Sequence, residues 1–128
     1  MSGTHPNFSL LKHASNHPHY DLRLEIRGVI RSWILPTMIP AEDHETRLAI
    51  EDLQEKSPSL NPEGIIEDCY GKGKYELLDT GFCEIIKESK SRIEFISNGK
   101  KFGGRFVLLL PNWGRFYKKR LWLLIKVA

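Results

Sequence analysis

Residues 17–26, HPHYDLRLEI, set His19, Asp21 and Arg23 at alternate positions and Tyr20, Leu22 and Leu24 between them. A strand sends successive side chains to opposite faces, whereas a helix would spread both sets around its circumference. The period of two therefore demands a strand with one apolar face and one ionisable face. Gly28 in IRGV then gives a turn, and VIRSWILP gives a second strand, so the segment closes a hairpin. A strand that merely fills a core has no need of three ionisable groups in a row.

The rest of the chain repeats the strand signal. FCEIIKES, RIEFISNG, RFVLLLP and RLWLLIKVA are four further short strands, separated by polar turns, NGKKFGG and PNWG. GKGKYELLDTG reads as a Gly-rich turn at residues 71–73, a short strand and another turn. RLAIEDL is either a strand or the opening of a short helix, because AEDHETRLAIEDLQEK is rich in helix formers. TMIPAEDHET and SPSLNPEG read as loops. Closely spaced short strands predict an all-β, mainly antiparallel fold, a small closed or partly closed barrel with few short helical turns. The 128 residues make one domain, 1–128, with residues 1–7 expected to be disordered. Trp33 and Trp122 sit in apolar strands and are expected in the core.

Charge and composition narrow the function classes. A net charge of +3 admits a polyanionic partner without requiring one. Cys69 and Cys83 have neither metal-ligand spacing nor the number for a disulfide framework, so they read as reduced packing residues of a cytoplasmic protein. No apolar run approaches the roughly 18 residues of a membrane span, and MSGTHPNF lacks the apolar centre of a signal peptide. A monomer is expected. Lys100, Lys101, Arg105, Arg115, Lys118, Lys119 and Arg120 lie close in sequence, interleaved with Trp113, Phe116 and Tyr117. That pattern suits either a rim for phosphates and unpaired bases or an ordinary solvated hairpin tip.

The ionisable face carries the chemistry. Imidazole and carboxylate at His19 and Asp21 can hold a divalent transition metal. Arg23, one repeat further, can fork two donors onto a phosphate. ASNHP is turn-prone, so His13 can fold back toward the same point, while His17 belongs to the turn. Two histidines and one carboxylate would leave coordination positions open, as a catalytic metal needs. The competing explanation is a plain cross-strand ion pair. Two histidines and a carboxylate also make the iron triad of oxygenases, although there the His-x-Asp pair usually precedes the distant histidine.

The ordered set K-H-x5-H-Y-D-L-R-L-E, GVIRSWILP, TRLAIED, EGIIEDCYGKGKYELLDTG, GRFVLLL and WLLIK resembles the 3′-phosphoesterase domain of DNA ligase D and its stand-alone relatives, over about residues 8–126. The resemblance implies a small antiparallel barrel-like fold. It also implies a metal-dependent trimming of 3′ ends in DNA end repair, removing a terminal ribonucleotide and then the 3′ phosphate. Manganese is the expected metal, with zinc or another transition metal as substitutes. His13, His19 and Asp21 match metal ligands, and Arg23 and Arg47 match phosphate-contacting arginines. Lys118, Lys119, Arg105 and His44 are the further substrate-binding candidates. The implied partners are DNA or RNA-tipped primer-template ends and a separate ligase and polymerase. The pattern departs at Thr37, where the family has a lysine, at Glu55, where it has a histidine, and at Ser59, where it has a tyrosine. These positions face the phosphate in the family, and a carboxylate there would repel a dianion. The alternative function is therefore a member that binds nucleic-acid ends without turnover. Leu78 replaces a tryptophan and reads as a core exchange.

Overall fold

The computed structural model describes residues 5–53, 58–62, 65–68, 71–116 and 120–128. Among these, ten strands form one antiparallel sheet. In chain order they are β1 (Phe8–Ala14), β2 (His19–Ile26), β3 (Val29–Leu35), β4 (Thr46–Glu51), β5 (Ile65–Asp68), β6 (Gly71–Gly81), β7 (Cys83–Glu88), β8 (Arg92–Asn98), β9 (Gly103–Leu109) and β10 (Arg120–Lys126). A single 3-10 turn, Asn112–Phe116, joins β9 toward β10. The all-β expectation holds. The order across the sheet is β5-β6-β1-β2-β3-β4-β10-β9-β8-β7.

Connectivity forces this sheet to curl. Strands β6 and β7 are separated in sequence by Phe82 alone, yet they lie near opposite ends of the strand order. The two ends must therefore approach one another. Asn7 fastens the closure as a side-chain imitation of strand pairing: its Oδ1 accepts from Cys83 N at 2.6 Å and its Nδ2 donates to Cys83 O at 2.8 Å. Asp79 on β6 makes a second fastening. Its carboxylate accepts from the backbone N–H groups of Phe102 (2.7 Å), Lys101 (2.8 Å) and Lys100 (3.3 Å), which form the β8–β9 turn.

Inside the curl the apolar faces meet. Leu22 and Leu24 of β2 join Phe8, Leu10, Trp33, Phe95, Phe102, Phe106, Trp122 and Leu124 in one buried cluster. The two tryptophans pack edge to face with centroids 5.9 Å apart, and Leu78 packs against the cluster. Buried Glu51 closes this layer, accepting from Trp122 Nε1 at 2.9 Å and from Arg31 Nε and Nη2 at 3.0 and 2.9 Å.

Of the two readings open for RLAI the strand holds: β4 is drawn into the sheet by pairing with both β3 and β10. One local expectation needs correction. GKG at 71–73 is not a turn but the start of the 11-residue β6. Gly73 is needed there because a Cβ would meet the Ala14 carbonyl oxygen at 2.0 Å. The β2–β3 turn, by contrast, is as IRGV suggests. Arg27 (φ 53°) and Gly28 (φ 79°) both take positive φ, the requirement of a type I′ hairpin turn. Cys83 is a buried free thiol whose burial pushes its pKa up to about 11. Cys69 lies outside the described residues.

Candidate active site

The alternation of β2 is what makes a site. Because Leu22 and Leu24 turn inward, His19, Asp21 and Arg23 turn to the opposite face. They are not open to solvent there. Ser9, Leu11, His13, Asp21, Arg23, Ser32, Ile34 and Ile50 share burial on this side and form a second, smaller layer. Arg23 Nη1 donates to the Ser59 carbonyl at 2.9 Å, so the chain following β4 crosses this face.

His13 and His19 are register partners at the β1–β2 end, and His13 is also the register partner of Tyr75 on β6. His13 Nε2 lies 3.1 Å from the Gly73 carbonyl, and His19 Nδ1 lies 3.0 Å from the His17 carbonyl. A carbonyl can only accept, so each of those ring nitrogens carries the proton. The other two nitrogens, His13 Nδ1 and His19 Nε2, therefore present lone pairs, and they face each other at 3.3 Å. Asp21 Oδ1 is 3.5 Å from His19 Nε2 and is buried without a hydrogen bond. His13 Nδ1, His19 Nε2 and Asp21 Oδ1 thus stand together as three neighbouring atoms of metal-ligand type. That is the donor set of a cation site, with both rings oriented by carbonyls in the way metal-ligating histidines are held. Among the described residues no three His, Cys, Asp or Glu side chains encircle a common centre. The fit rests on the donor chemistry of neighbours in series, His13 to His19 to Asp21.

The second oxygen of Asp21 is held firmly. Oδ2 accepts from Arg23 Nη2 at 3.2 Å and from Tyr75 OH at 3.1 Å. Tyr75 also stacks on His13 with centroids 4.4 Å apart, and Arg23 lies over its ring at 5.1 Å. Burial raises the Asp21 carboxyl above its ordinary range, against the downward pull of Arg23 and of the hydrogen bond from Tyr75. The sequence reading missed Tyr75. Its signal was there, in a segment already matched to the family, but only the β1–β6 pairing reveals that it faces His13.

The other predicted residues divide. Thr37 is exposed two residues beyond Leu35, which pairs with Tyr20, so it stands at the His19 end of the sheet. Ser59 reaches the site through its carbonyl. Glu55, Lys118 and Lys119 lie outside the described residues. Arg47 is not brought to the cluster. The register Asp21↔Ile34↔Ile50 gives the site's face to Ile50, while Arg47 alternates with Ala49 and Glu51 on the other face and donates to Glu45 Oε2 at 2.9 Å. His44 sits in the turn before β4 with φ 71°, its backbone N–H bonded to Lys126 O. Arg105 pairs with Glu94 on β8. Among the described residues neither is bonded to Asp21 or to the two histidines. The expected single basic rim is also split: Lys100, Lys101 and Arg105 lie at the β8–β9 turn, Arg115 and Arg120 at the other end of β9.

A profile of the DNA Ligase D 3′-phosphoesterase domain matches residues 11–110. The chain belongs to that family. It is 32% identical over 126 residues to the multifunctional non-homologous end joining DNA repair protein LigD of Mycobacterium tuberculosis, covering 94% of this chain and 17% of that protein. It is 30% identical to LigD of Mycolicibacterium smegmatis over 88% of this chain, and 28% identical to LigD of Pseudomonas aeruginosa over 93%. The chain spans about a sixth of the length of these LigD proteins. No helix among the described residues is long and apolar enough to cross a membrane.

Proposed function

We propose that the chain is a divalent-metal-dependent phosphoesterase that processes 3′ termini of DNA or RNA-tipped primers in end-joining repair. The observation that carries this is the meeting of two imidazole lone pairs with the bare Oδ1 of Asp21, inside a chain of the 3′-phosphoesterase family. His13 Nδ1, His19 Nε2 and Asp21 Oδ1 would hold the metal. Manganese is the ion that the family resemblance implies, and a set of two imidazoles and a carboxylate without thiolate also accepts zinc or another divalent transition metal. When bound, such an ion polarises a phosphoryl oxygen and makes water a competent nucleophile at neutral pH.

The protein's own groups do the positioning. The His17 and Gly73 carbonyls fix both imidazole tautomers. Arg23 and Tyr75 hold Asp21 Oδ2, which leaves Oδ1 for the cation. Arg23 is also the nearest guanidinium for charge on a transferring phosphoryl group. Its Nη2 donates to Asp21 and its Nη1 to the Ser59 carbonyl, so a phosphate oxygen would share the guanidinium with those acceptors. A separate ligase and polymerase would supply and consume the trimmed ends.

The test is incubation with manganese and a labelled primer-template ending in one 3′ ribonucleotide. Shortening by the wild type and none by His19→Ala is expected. No shortening with manganese, zinc or cobalt would overturn the enzymatic reading. A second reading, an end binder without turnover, draws on Thr37 and Ser59 at phosphate-facing positions and on the acceptors that already share Arg23. Salt-sensitive end binding without shortening would establish it.

A further inference from the structure

A cavity of about 920 Å³ opens at the end of the barrel remote from the His13–His19 turn. β2 runs eight residues from His19 to Ile26 before the Arg27–Gly28 turn that borders the cavity. At about 3.3 Å per residue that separates the two places by roughly 25 Å along the strand. The lining comes from several chain segments that all reach this end. They are the β2–β3 turn, the end of β4, the β7–β8 turn, the end of β9 and the approach to β10.

The charge of this mouth is unbalanced. Arg27, Arg31, Lys90, Arg115 and Arg120 line it, against the carboxylates of Glu51 and Glu88. The surplus of three positive charges equals the net charge of the whole chain, +3, so elsewhere the charges cancel. The two carboxylates are already engaged. Glu88 pairs with Arg27, and Glu51 with Arg31 and Trp122. Arg31 is further pinned over the rings of Trp33 and Trp122. Arg120 reaches Glu51 at only 3.9 Å and is half-exposed. Lys90 and Arg115 are exposed and make no ion pair with a described residue. Three cations thus remain to face a ligand, above a floor that includes Leu53 and Leu110. Trp113, 50% exposed, sits on the same 3-10 turn as Arg115 and offers a stacking face.

We propose that this mouth is a second anion site, which binds the phosphates of a single-stranded nucleic-acid segment through Lys90, Arg115 and Arg120. The choice of nucleic acid over another polyphosphate rests on the function proposed above; the cation cluster does not. Several cations beside an exposed aromatic suit a strand with spaced phosphates and bare bases. Arginine forks suit phosphate oxygens. The site would hold a strand at a distance from the cleaved end and so favour substrates with an unpaired tail.

The test is fluorescence anisotropy with a labelled oligothymidylate of about ten nucleotides at several salt concentrations. Arg115→Gln/Arg120→Gln is compared with Lys100→Gln/Lys101→Gln, which removes the same charge at the β8–β9 turn. The mouth variant should bind tenfold or more weakly at low salt, with a log–log salt slope shallower by about 1.4, from about 0.7 per lost phosphate contact. The control should match the wild type, and thermal melting should show both variants folded. Equal losses in the two variants, or none in the mouth variant, would overturn the proposal. Displacement by inorganic phosphate at charge-equivalent concentration would also overturn it, by marking the mouth as a small-anion site. His19→Ala separates the two proposals: it should leave this binding intact. Mouth-dependent binding in a wild type that never shortens a primer would remove the phosphoesterase reading alone.

Discussion

At the residue scale the site depends on which oxygen of Asp21 is already spoken for. Tyr75 OH and Arg23 occupy Oδ2 and leave Oδ1 bare. Tyr75→Phe removes one of those donors while keeping the ring that stacks on His13. Loss of such an outer partner typically weakens metal binding 10–100-fold. A manganese titration by calorimetry should therefore show a weakening of about that size with unchanged thermal stability. Unchanged affinity would mean that Tyr75 serves packing alone. Thr37 allows a gain-of-function test. A lysine there, at the exposed end of β3 beside β2, would add a cation where a 3′ phosphate carries about two charges and a diester carries one. Thr37→Lys should raise the rate on 3′-phosphate ends about tenfold relative to 3′-ribonucleotide ends. An unchanged ratio in single-turnover assays would remove Thr37 from the phosphate's surroundings.

At the scale of elements, β6 is the strand on which most depends. Its first half presents Gly73 O and Tyr75 to the site, and its second half presents Asp79 to the β8–β9 turn. Burial alone would raise the pKa of Asp79. The N–H groups of Phe102, Lys101, Lys100 and Thr80 outweigh burial and hold it below its usual value. A carboxylate whose folded pKa is depressed contributes stability in full above the unfolded value near 3.8 and loses it as pH falls through the folded value. Urea midpoints measured from pH 7 down to pH 2 should thus fall more steeply below pH 4 for the wild type than for Asp79→Asn. The variant should already be about 2 kcal/mol less stable at pH 7, because an amide N–H2 would face backbone donors. Parallel pH profiles would show that the turn does not depend on the charge. Gly99 belongs to the same device, since a Cβ there would meet Asp79 Oδ2 at 2.3 Å.

At the scale of the whole molecule, closure is local and therefore testable. The sheet's ends are joined by the bend at Phe82, by the two hydrogen bonds between Asn7 and Cys83 and by Asp79 on the β8–β9 turn. Asn7→Ala leaves a backbone N–H and C=O of a partly buried strand without those partners, at a cost of about 1–3 kcal/mol. Hydrogen exchange should then quicken along β7 while β2 and β3 stay protected. Uniform quickening would mean that closure is cooperative with the rest of the fold. The opposed locations of the Asp21 cluster and the basic mouth also predict additive effects of His19→Ala and Arg115→Gln/Arg120→Gln on stability, since distant sites without shared partners rarely couple.

The sequence by itself determined the architecture class and which ionisable side chains share one face of β2 in the candidate site. Alternation in HYDLRLEI sets which side chains of β2 face the core, and that is a property of extended backbone independent of context. IRGV fixes its hairpin for an equally local reason, two residues at positive φ. Long-range pairing decided the rest. RLAI could have begun a helix by propensity, and it is strand because β3 and β10 flank it. GKG looked like a turn, and it is strand because glycine permits the close approach of β6 to Ala14. Arg47 matched a family position by count, but sheet register puts it on the face away from Asp21. Tyr75, 54 residues from Asp21, enters the site only through the pairing of β6 with β1. Basic residues adjacent in sequence were separated to opposite ends of β9, and Arg27, Lys90 and Arg120 were gathered from far apart. Local patterns survive reading one residue at a time because they depend on near neighbours. Partners across a curled sheet depend on how every strand between them is registered.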